Sequence, residues 1–253
     1  MLDNTSGNRS TEPAPIGPLA HYYADESARR KFVDSLFDVG ARDYDFIERL
    51  LGLGTGPWYR REALRRAGLA AGMRVLDVAT GTGLTAREAK SIAGETGLVL
   101  GLDPSAGMLG EARALCIPLV RALGERIPLA GGSFDFACMG FALRHVASLE
   151  PLFAEMRRVL SPGGTVCILE ITRPRHRIVS EPLRIFMTRV VPALARLARR
   201  DTDAQRMMDF YWDTIHACVP PASVLAALER AGFADARRTV SLGMFSEYTA
   251  SVK

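Results

Sequence analysis

The residues best placed to bind a small molecule lie in VLDVATGTGLTA, residues 75–86, where a strand-like run meets a glycine-rich turn and then a helix. Gly81 and Gly83 would let the backbone turn tightly and let a ligand approach to contact, while the helix N-terminus offers unpaired N–H groups. By itself this loop is ambiguous. Gly81-x-Gly83-x-x-Ala86, followed 20 residues after Gly83 by Asp103, also fits the fingerprint of a dinucleotide site.

Asp77 separates the two interpretations, because it precedes Gly81 at the end of the first strand, where we expect its carboxylate to face the ligand. A pyrophosphate there would be repelled by roughly several kcal/mol, whereas an ammonium group would be attracted. S-adenosylmethionine has a cationic amino acid end, a ribose and no phosphate. We therefore expect it as the cofactor, with Asp103 binding the ribose hydroxyls. Asp103 could also cap the next helix, which opens with Asp-Pro-Ser.

The elements that must position these residues alternate between short apolar strands and amphipathic helices. The predicted strands are 73–79, 98–103, 134–141 and 165–171, and the predicted helices between and after them are 84–93, 106–115, 149–160, 203–218 and 222–231. Strands of this kind, separated by helices, predict a parallel sheet covered on both faces, which is a doubly wound α/β fold. Helical patterns occupy residues 21–70, and residues 236–249 fit a terminal strand pair.

Composition excludes several classes of protein. With 253 residues, 48% hydrophobic and 24% charged side chains, the chain is typical of one folded globular domain. No apolar run approaches the ~20 residues that span a bilayer, and MLDNTSGNRSTEPAP lacks a signal-peptide core, so we expect a cytoplasmic protein. The four cysteines are too far apart for a CxxC pair, and no metal site is expected.

The net charge of +4 conceals one strongly basic segment, residues 173–200, which contains eight Arg and one Glu. Apolar residues alternate there with the arginines, and Pro192 should kink the segment. Such a segment can lie on an anionic membrane surface, at the inner face of the membrane, or can pack on the domain as a lid. These two roles are compatible. Nucleic-acid binding is not expected, because the segment lacks lysine and interleaved aromatics.

Several motifs of the chain resemble class I methyltransferases, and more narrowly the ubiquinone/menaquinone C-methyltransferases of quinone biosynthesis. The match covers residues 32–250 and rests on Asp77-x-Ala79-x-Gly81-Thr82-Gly83, GLDPSAGML (101–109), ERIPLAGGSFD (125–135), GFALRHV (140–146), RRVLSPGG (157–164) and LEITRP (169–174). The glycine loop is common to the superfamily, whereas GFALRHV and LEITRP are closer to the quinone branch. The resemblance implies S-adenosylmethionine as the cofactor. It also implies a substrate with a quinone-like aromatic ring, of the class of lipid quinones.

The resemblance also implies roles for individual residues. The cofactor set is Asp77, Gly81, Thr82, Gly83, Thr85, Asp103, Met108, Leu123, Gly124 and Gly140, with Met108 on the adenine and Gly81 to Thr85 beside the methionine end. The substrate set is Tyr44, Phe141, Glu170, Phe210 and Tyr211. Departures from the family pattern include Leu123-Gly124 beside the adenine, Gly140 where Ser is common, His145 in place of Asn, and Glu48 in place of Asn.

The expected chemistry centres on Arg144 and His145, just beyond the C-terminal end of the fourth strand, the edge where doubly wound sheets bind ligands. A carbon nucleophile must lose a proton, and an electron-rich quinol is activated by deprotonating a ring hydroxyl. His145 could act as the base or as a hydrogen-bond partner, and Arg144 could stabilise the oxyanion. Glu170 could instead accept the proton or pair with an arginine. Tyr44 could gate the pocket or be a core aromatic.

The sequence therefore predicts a doubly wound (Rossmann-like), mostly parallel seven-stranded α/β sheet with N-terminal helices and a helical lid insertion. Residues 1–20 are expected to be a flexible tail, 21–253 a methyltransferase-like domain, and 172–218 the basic lid insertion, with membrane contact through 182–200. Two alternatives stay open: a relative that uses the cofactor for amino transfer to a quinone, as in rhodoquinone biosynthesis, and a non-catalytic binding protein. A homodimer also stays open.

Overall fold

The protein is organised around a seven-stranded sheet in the order β3-β2-β1-β4-β5-β7-β6. The structure, a computed structural model, describes residue 19 and residues 22–174, 177–198 and 204–253. The strands are β1 (Arg74–Val78), β2 (Leu98–Asp103), β3 (Leu119–Arg121), β4 (Phe134–Gly140), β5 (Leu160–Ile171), β6 (Ala234–Ser241) and β7 (Phe245–Ser251). Strands β1 to β5 are parallel to one another. Strand β7 lies between β5 and β6 and is antiparallel to both. The predicted fold class is confirmed.

The helices are α1 (Glu26–Leu51), α2 (Gly56–Arg66), α3 (Leu84–Ala93), α4 (Ala106–Ala112), α5 (Leu149–Val159), α6 (Arg177–Ile185), α7 (Val191–Leu197), α8 (Ala204–Ala217) and α9 (Pro221–Arg230). Short 3-10 turns span Arg113–Leu115 and Leu143–His145, and a π-helical turn, Phe186–Val190, joins α6 to α7. Pro192 lies in the first turn of α7, where a missing N–H costs least.

Alternation along the strands produces a covered face on each side of the sheet. Leu76 and Val78 of β1 point into a cluster with α5 and α9, whereas Val75 belongs to a second cluster with α2 and α3. Both clusters consist of side chains that are almost wholly buried. The sheet is therefore held rigidly between two helical layers, and its strand ends are fixed relative to one another.

A third apolar cluster lies outside this sandwich and joins α1 to α7 and α8. Ile47 of α1, Val191 of α7 and Phe210 of α8 are each at most 1% exposed there. The basic insertion thus packs against the N-terminal helix rather than against the sheet. This contact fixes α1 across the sheet edge at which β1, β2 and β4 end.

The local sequence pattern was sufficient to predict the bounds of some helices and strands but not the presence of every strand. Helix α3 and strand β2 have the predicted bounds, and the terminal strand pair is present. Strand β3 was missed because its three residues are only partly buried at a sheet edge and carry too short a pattern. The predicted tail lies outside the described residues except for Leu19, which is buried in the third cluster rather than loose. The domain division stays a prediction.

Helices α6 and α7 carry the basic segment. Met187, Val191 and Ala195 face inward, whereas the apolar residues Ile185, Val190, Leu194 and Leu197 are 39–82% exposed. The predicted apolar stripe is therefore divided between the core and the surface. No helix among the described residues is long and apolar enough to cross a bilayer.

Candidate functional site

A cavity with an empty volume of about 1080 Å³, partly open to solvent, lies at the C-terminal ends of β1, β2 and β4. Its floor is the loop after β1, and its roof is the inner face of α1. Strand β1 lies between β2 and β4 in the sheet. The chain runs from β1 outward to β2 and β3 and then crosses to β4 on the other side, so the cavity lies in the crevice where the strand order reverses. The fold alone therefore opens a ligand site at this position.

The glycine loop forms the floor as predicted. Gly81 lines the cavity with φ +58°, and a Cβ built on it would meet only open space. Gly83, the N-cap residue of α3, has φ +89°. A Cβ built on it would collide with Leu115, and Gly83 does not line the cavity. Gly81 thus allows close approach of a ligand, and Gly83 allows close packing of the loop.

Asp103 lies at the end of β2 beside this loop and lines the cavity. Its Oδ2 accepts from the Gly81 N–H and its Oδ1 accepts from the Ser105 N–H, both at 2.8 Å. Burial raises the pKa of Asp103 to about 6. The helix N-cap is Ser105, which accepts from the Met108 N–H, so capping does not occupy Asp103 and the carboxylate retains lone pairs for ribose hydroxyls.

Asp77 does not face the cavity, which corrects the expectation for its carboxylate. The side chain is fully buried behind the glycine loop, where it accepts from the Thr80 hydroxyl at 2.7 Å and from the Cys138 thiol at 3.3 Å. It points there because strand alternation directs position 77 to the α2–α3 face, opposite Cys138 of β4. Burial raises its pKa to about 6, and its hydrogen bonds fix the loop from beneath.

The remaining predicted cofactor residues line the cavity: Thr82, Thr85, Met108, Leu123, Gly124 and Gly140. Gly140 packs against Thr85 so closely that a Cβ at position 140 would collide with the Thr85 hydroxyl oxygen. A Cβ on Gly124 would lie 2.8 Å from Leu152 Cδ1 and 2.9 Å from Val78 Cγ1. Both glycines that depart from the family pattern are therefore required by local packing.

The opposite part of the cavity is aromatic and apolar. Its lining includes Phe37 and Tyr44 of α1, Met139 of β4, Phe141 and His145. Phe141 follows β4 with φ +60°, a strained conformation for a side chain with a Cβ. Burial raises the pKa of Tyr44, so its hydroxyl stays protonated at neutral pH. This lining suits a flat aromatic ring better than a sugar or a phosphate.

His145 lines this aromatic part within a group of rings. Its ring centroid is 5.2 Å from that of Phe37 and 5.6 Å from that of Phe210. Both ring nitrogens are buried, and no described residue forms a hydrogen bond with either of them. Burial, followed by the nearby positive charges of Arg144 and Arg29, lowers the pKa of His145 well below its usual value, so the imidazole is neutral at physiological pH.

Arg144 and Glu170 do not line the cavity, which corrects the expectation that they contact the substrate. The Arg144 guanidinium is 3% exposed and forms an ion pair with Glu170, which is 1% exposed. It also donates to the Thr214 hydroxyl at 3.1 Å and to the Phe141 carbonyl at 3.0 Å. With its donors committed, Arg144 fixes Phe141 and the turn that carries His145.

Phe210 and Tyr211 of α8 are also buried behind the cavity wall rather than on it. Phe210 stacks on His145, and the Arg144 guanidinium carbon lies 5.2 Å from the centre of the Tyr211 ring. They lie behind the wall because α1 occupies the space over the strand ends. The cavity's roof is therefore α1, and the described part of the predicted lid insertion supports this roof from outside.

Sequence reasoning missed the cavity-lining residues of α1 other than Tyr44, and Arg60 of α2. Arg29, Val33 and Phe37 line the cavity at intervals of four residues, which places them on one face of the helix. Arg29 donates to the His145 carbonyl at 3.0 Å, which fastens the roof to the turn after β4. The four-residue interval was visible in the sequence. The sequence did not show that this face of α1 points toward the cavity.

The residues present fit S-adenosylmethionine. The cavity offers the open space in front of Gly81, the acceptor oxygens of the neighbouring Asp103 and the apolar side chain of Met108, which suit a methionine end, a ribose and an adenine. No phosphate-binding cluster of cations adjoins the glycine loop among the described lining residues.

Comparisons with known proteins agree with this geometry. A sequence model of the ubiE/COQ5 methyltransferase family matches residues 24–249. The chain is 31% identical over 220 residues to a demethylmenaquinone methyltransferase from Mycolicibacterium vanbaalenii, covering 87% of this chain and 94% of that protein. It is 30% identical over 188 residues to a ubiquinone/menaquinone biosynthesis C-methyltransferase, UbiE, from Hahella chejuensis, covering 71% and 76%.

Among solved structures, phosphoethanolamine N-methyltransferase 2 of Haemonchus contortus in complex with S-adenosyl-L-methionine aligns with a TM-score of 0.61 at 17% identity, covering 88% of this chain and 60% of that one. That likeness shows the fold. The family match and the relatives show an S-adenosylmethionine-dependent methyltransferase. The chain belongs to the ubiE/COQ5 methyltransferase family.

Proposed function

We propose that this methyltransferase transfers the methyl group of S-adenosylmethionine to a ring carbon of a quinol-type aromatic. The observation that carries the proposal is that one cavity is lined both by the glycine loop with Asp103 and by the rings of Phe37, Phe141 and His145. The names of the relatives support it, because they are methyltransferases of demethylmenaquinone and of ubiquinone/menaquinone biosynthesis.

The chain's own residues serve alignment and activation. When bound, the cofactor supplies an electrophilic methyl group on a sulfonium sulfur. A ring carbon becomes nucleophilic when a neighbouring hydroxyl shares its proton in a hydrogen bond, and neutral His145 offers an unprotonated nitrogen that accepts this bond. Because its pKa is low, we assign it as an acceptor for the ring hydroxyl rather than as a strong base. The hydrogen that the methylated carbon carried leaves as a proton to solvent, which restores the aromatic ring. Arg144 acts as a positioning residue through Phe141 and Glu170.

Product analysis tests the reaction. The protein should convert a reduced short-chain demethylmenaquinone, with methyl-labelled S-adenosylmethionine, into a product that is one labelled methyl group heavier by mass spectrometry. Label on carbon rather than on oxygen, established by NMR of the product, identifies C-methylation. A product carrying a new amino group would instead indicate the amino-transfer alternative, and cofactor binding without any product would indicate a binding protein.

Asp103 should control cofactor affinity and its pH dependence. The Asp103→Ala variant should bind S-adenosylmethionine about 10- to 100-fold more weakly, because charge-assisted hydrogen bonds contribute about 1.5–3 kcal/mol. Since burial raises the pKa of this acid to about 6, wild-type affinity should fall as the pH decreases through 6, where the carboxylate becomes protonated. Isothermal titration calorimetry between pH 5 and 8 measures both effects.

The matched control is Glu111→Ala, an exposed carboxylate on the neighbouring helix α4. Its affinity and pH profile should follow the wild type. A wild-type affinity that stays constant from pH 8 to 5, or an Asp103→Ala variant that binds normally, would contradict the assignment of Asp103.

His145 is tested by His145→Phe, which keeps the stacking on Phe210 and removes both nitrogens. We expect kcat to fall at least about tenfold, the range of a lost catalytic hydrogen bond, with cofactor Kd changed less than about twofold. His216→Phe is the control, because His216 contacts Trp212 outside the cavity. Equal kcat values for the two variants would remove His145 from the reaction.

Contact with a membrane is a further part of the proposal, since a lipid quinone resides in a bilayer. The exposed Ile185, Val190, Leu194 and Leu197 lie among Arg184, Arg189 and Arg196 on the surface of α6 and α7. Apolar side chains flanked by arginines are typical of a helix that binds an anionic membrane surface.

Vesicle sedimentation tests this contact. The protein should bind phosphatidylglycerol vesicles at low salt, and the double variant Leu194→Ser/Leu197→Ser should bind at least about tenfold more weakly because apolar insertion is lost. Val240→Ser, at an exposed position on β6, is the control. Failure of the unaltered protein to sediment with anionic vesicles at low salt would exclude this surface.

A further inference from the structure

Arg60 of α2 is a buried charge in the cavity that the roles above do not use. It lines the cavity, although only 3% of it is exposed. Its guanidinium carbon lies 5.1 Å from the centre of the ring of Phe141, another residue that lines the cavity. Its Nε is buried and has no hydrogen-bond partner among the residues that the structure describes. A desolvated donor without a partner is unfavourable, and a ligand acceptor would satisfy it.

The guanidinium is held in place from one side. Glu48 of α1 accepts from Arg60 Nη2, with 2.7 Å between Nη2 and Glu48 Oε1. This pair balances the buried charge and fixes the direction of the side chain. Glu48 pairs with Nη2 and leaves the Nε donor without a partner among the described residues.

Gly56, the first residue of α2, provides the space for this pair. A Cβ at position 56 would lie 2.6 Å from Glu48 Oε1 and 2.7 Å from Arg60 Nη1, closer than real Cβ contacts. A residue with any side chain would therefore displace the pair. The counterion, the glycine and the unpartnered donor together form a built site inside the cavity.

We propose that Arg60 binds an oxyanion in this cavity, with Glu48 as its positioning residue. Two oxyanions share the required chemistry: the carboxylate of the cofactor's methionine end, and the ring oxygen of the acceptor. Only the second source rests on the proposed function. Arg144 pairs with Glu170 behind the cavity wall, and Arg29 of α1, which also lines the cavity, donates from Nη1 to the His145 carbonyl.

The first experiment measures cofactor binding without an acceptor. Arg60→Met removes the charge and keeps much of the side-chain volume. Arg61→Met is the matched control, since the neighbouring Arg61 pairs with Glu88, is 43% exposed at its side chain and does not line the cavity. Calorimetry with S-adenosylmethionine and with decarboxylated S-adenosylmethionine gives Kd values for the wild type and both variants.

If the oxyanion is the cofactor carboxylate, Arg60→Met should weaken S-adenosylmethionine binding at least tenfold and leave the decarboxylated compound unaffected. If it is the ring oxygen, both cofactor Kd values should stay within twofold of wild type, and the acceptor KM should rise or kcat should fall at least tenfold. An Arg60→Met variant that folds normally and matches Arg61→Met in cofactor Kd, acceptor KM and kcat would overturn the proposal.

Gly56→Ala provides a second test that keeps every charge. Its Cβ should displace the Glu48–Arg60 pair and reproduce the loss seen in Arg60→Met, while circular dichroism shows a retained helix. If Arg60→Met does not fold, unchanged cofactor binding and turnover in Gly56→Ala would overturn the proposal instead. Failure of the wild type to methylate a quinol would refute the proposed function alone, because the cofactor measurements need no acceptor.

Discussion

The reversal of strand order between β1 and β4 is the constraint on which the site depends. Beyond β1 the chain proceeds to β2 and β3 on one side, then crosses to β4 and β5 on the other, and this crossing leaves a crevice above the ends of β1 and β4. The helical layers on both faces keep the strand ends fixed. Every residue assigned to binding or chemistry is positioned by that crevice or by the helix that covers it.

Burial then determines what each polar residue near the crevice can do. Asp103 accepts from two backbone N–H groups and retains acceptor capacity toward the cavity. Asp77 instead accepts from the side chains of Thr80 and Cys138, behind the glycine loop. Arg144 is neutralised by Glu170 and therefore stabilises the wall rather than a substrate charge. The two acids experience the same loss of solvent, but Asp103 lines the cavity whereas Asp77 supports the loop from behind.

The cover of the crevice comes from α1, which is far from the glycine loop in sequence. Its inner face contributes Phe37 and Tyr44 to the aromatic end, and its outer face packs against the basic insertion through Ile47 and Phe210. The insertion thus has two faces of its own, one buried against the roof and one with exposed apolar and arginine side chains. The roof of the cavity and this exposed surface are consequently joined by the packing of α7 and α8 on α1.

The sequence by itself determined the fold class, the glycine loop and Asp103 as the acid beside it, because these depend on local patterns in a strand, turn and helix. Through the resemblance of its motifs to methyltransferases the sequence indicated the cofactor, although its argument from Asp77 required a carboxylate direction that the structure does not have. It also identified His145 at the correct edge of the sheet. Tertiary structure alone decided that Asp77, Arg144, Glu170, Phe210 and Tyr211 lie behind the cavity wall, and that Arg29, Phe37 and Arg60 lie on it. The reason is physical: the direction of a side chain follows from strand alternation and helix phase, but what it meets there depends on elements packed from distant parts of the chain.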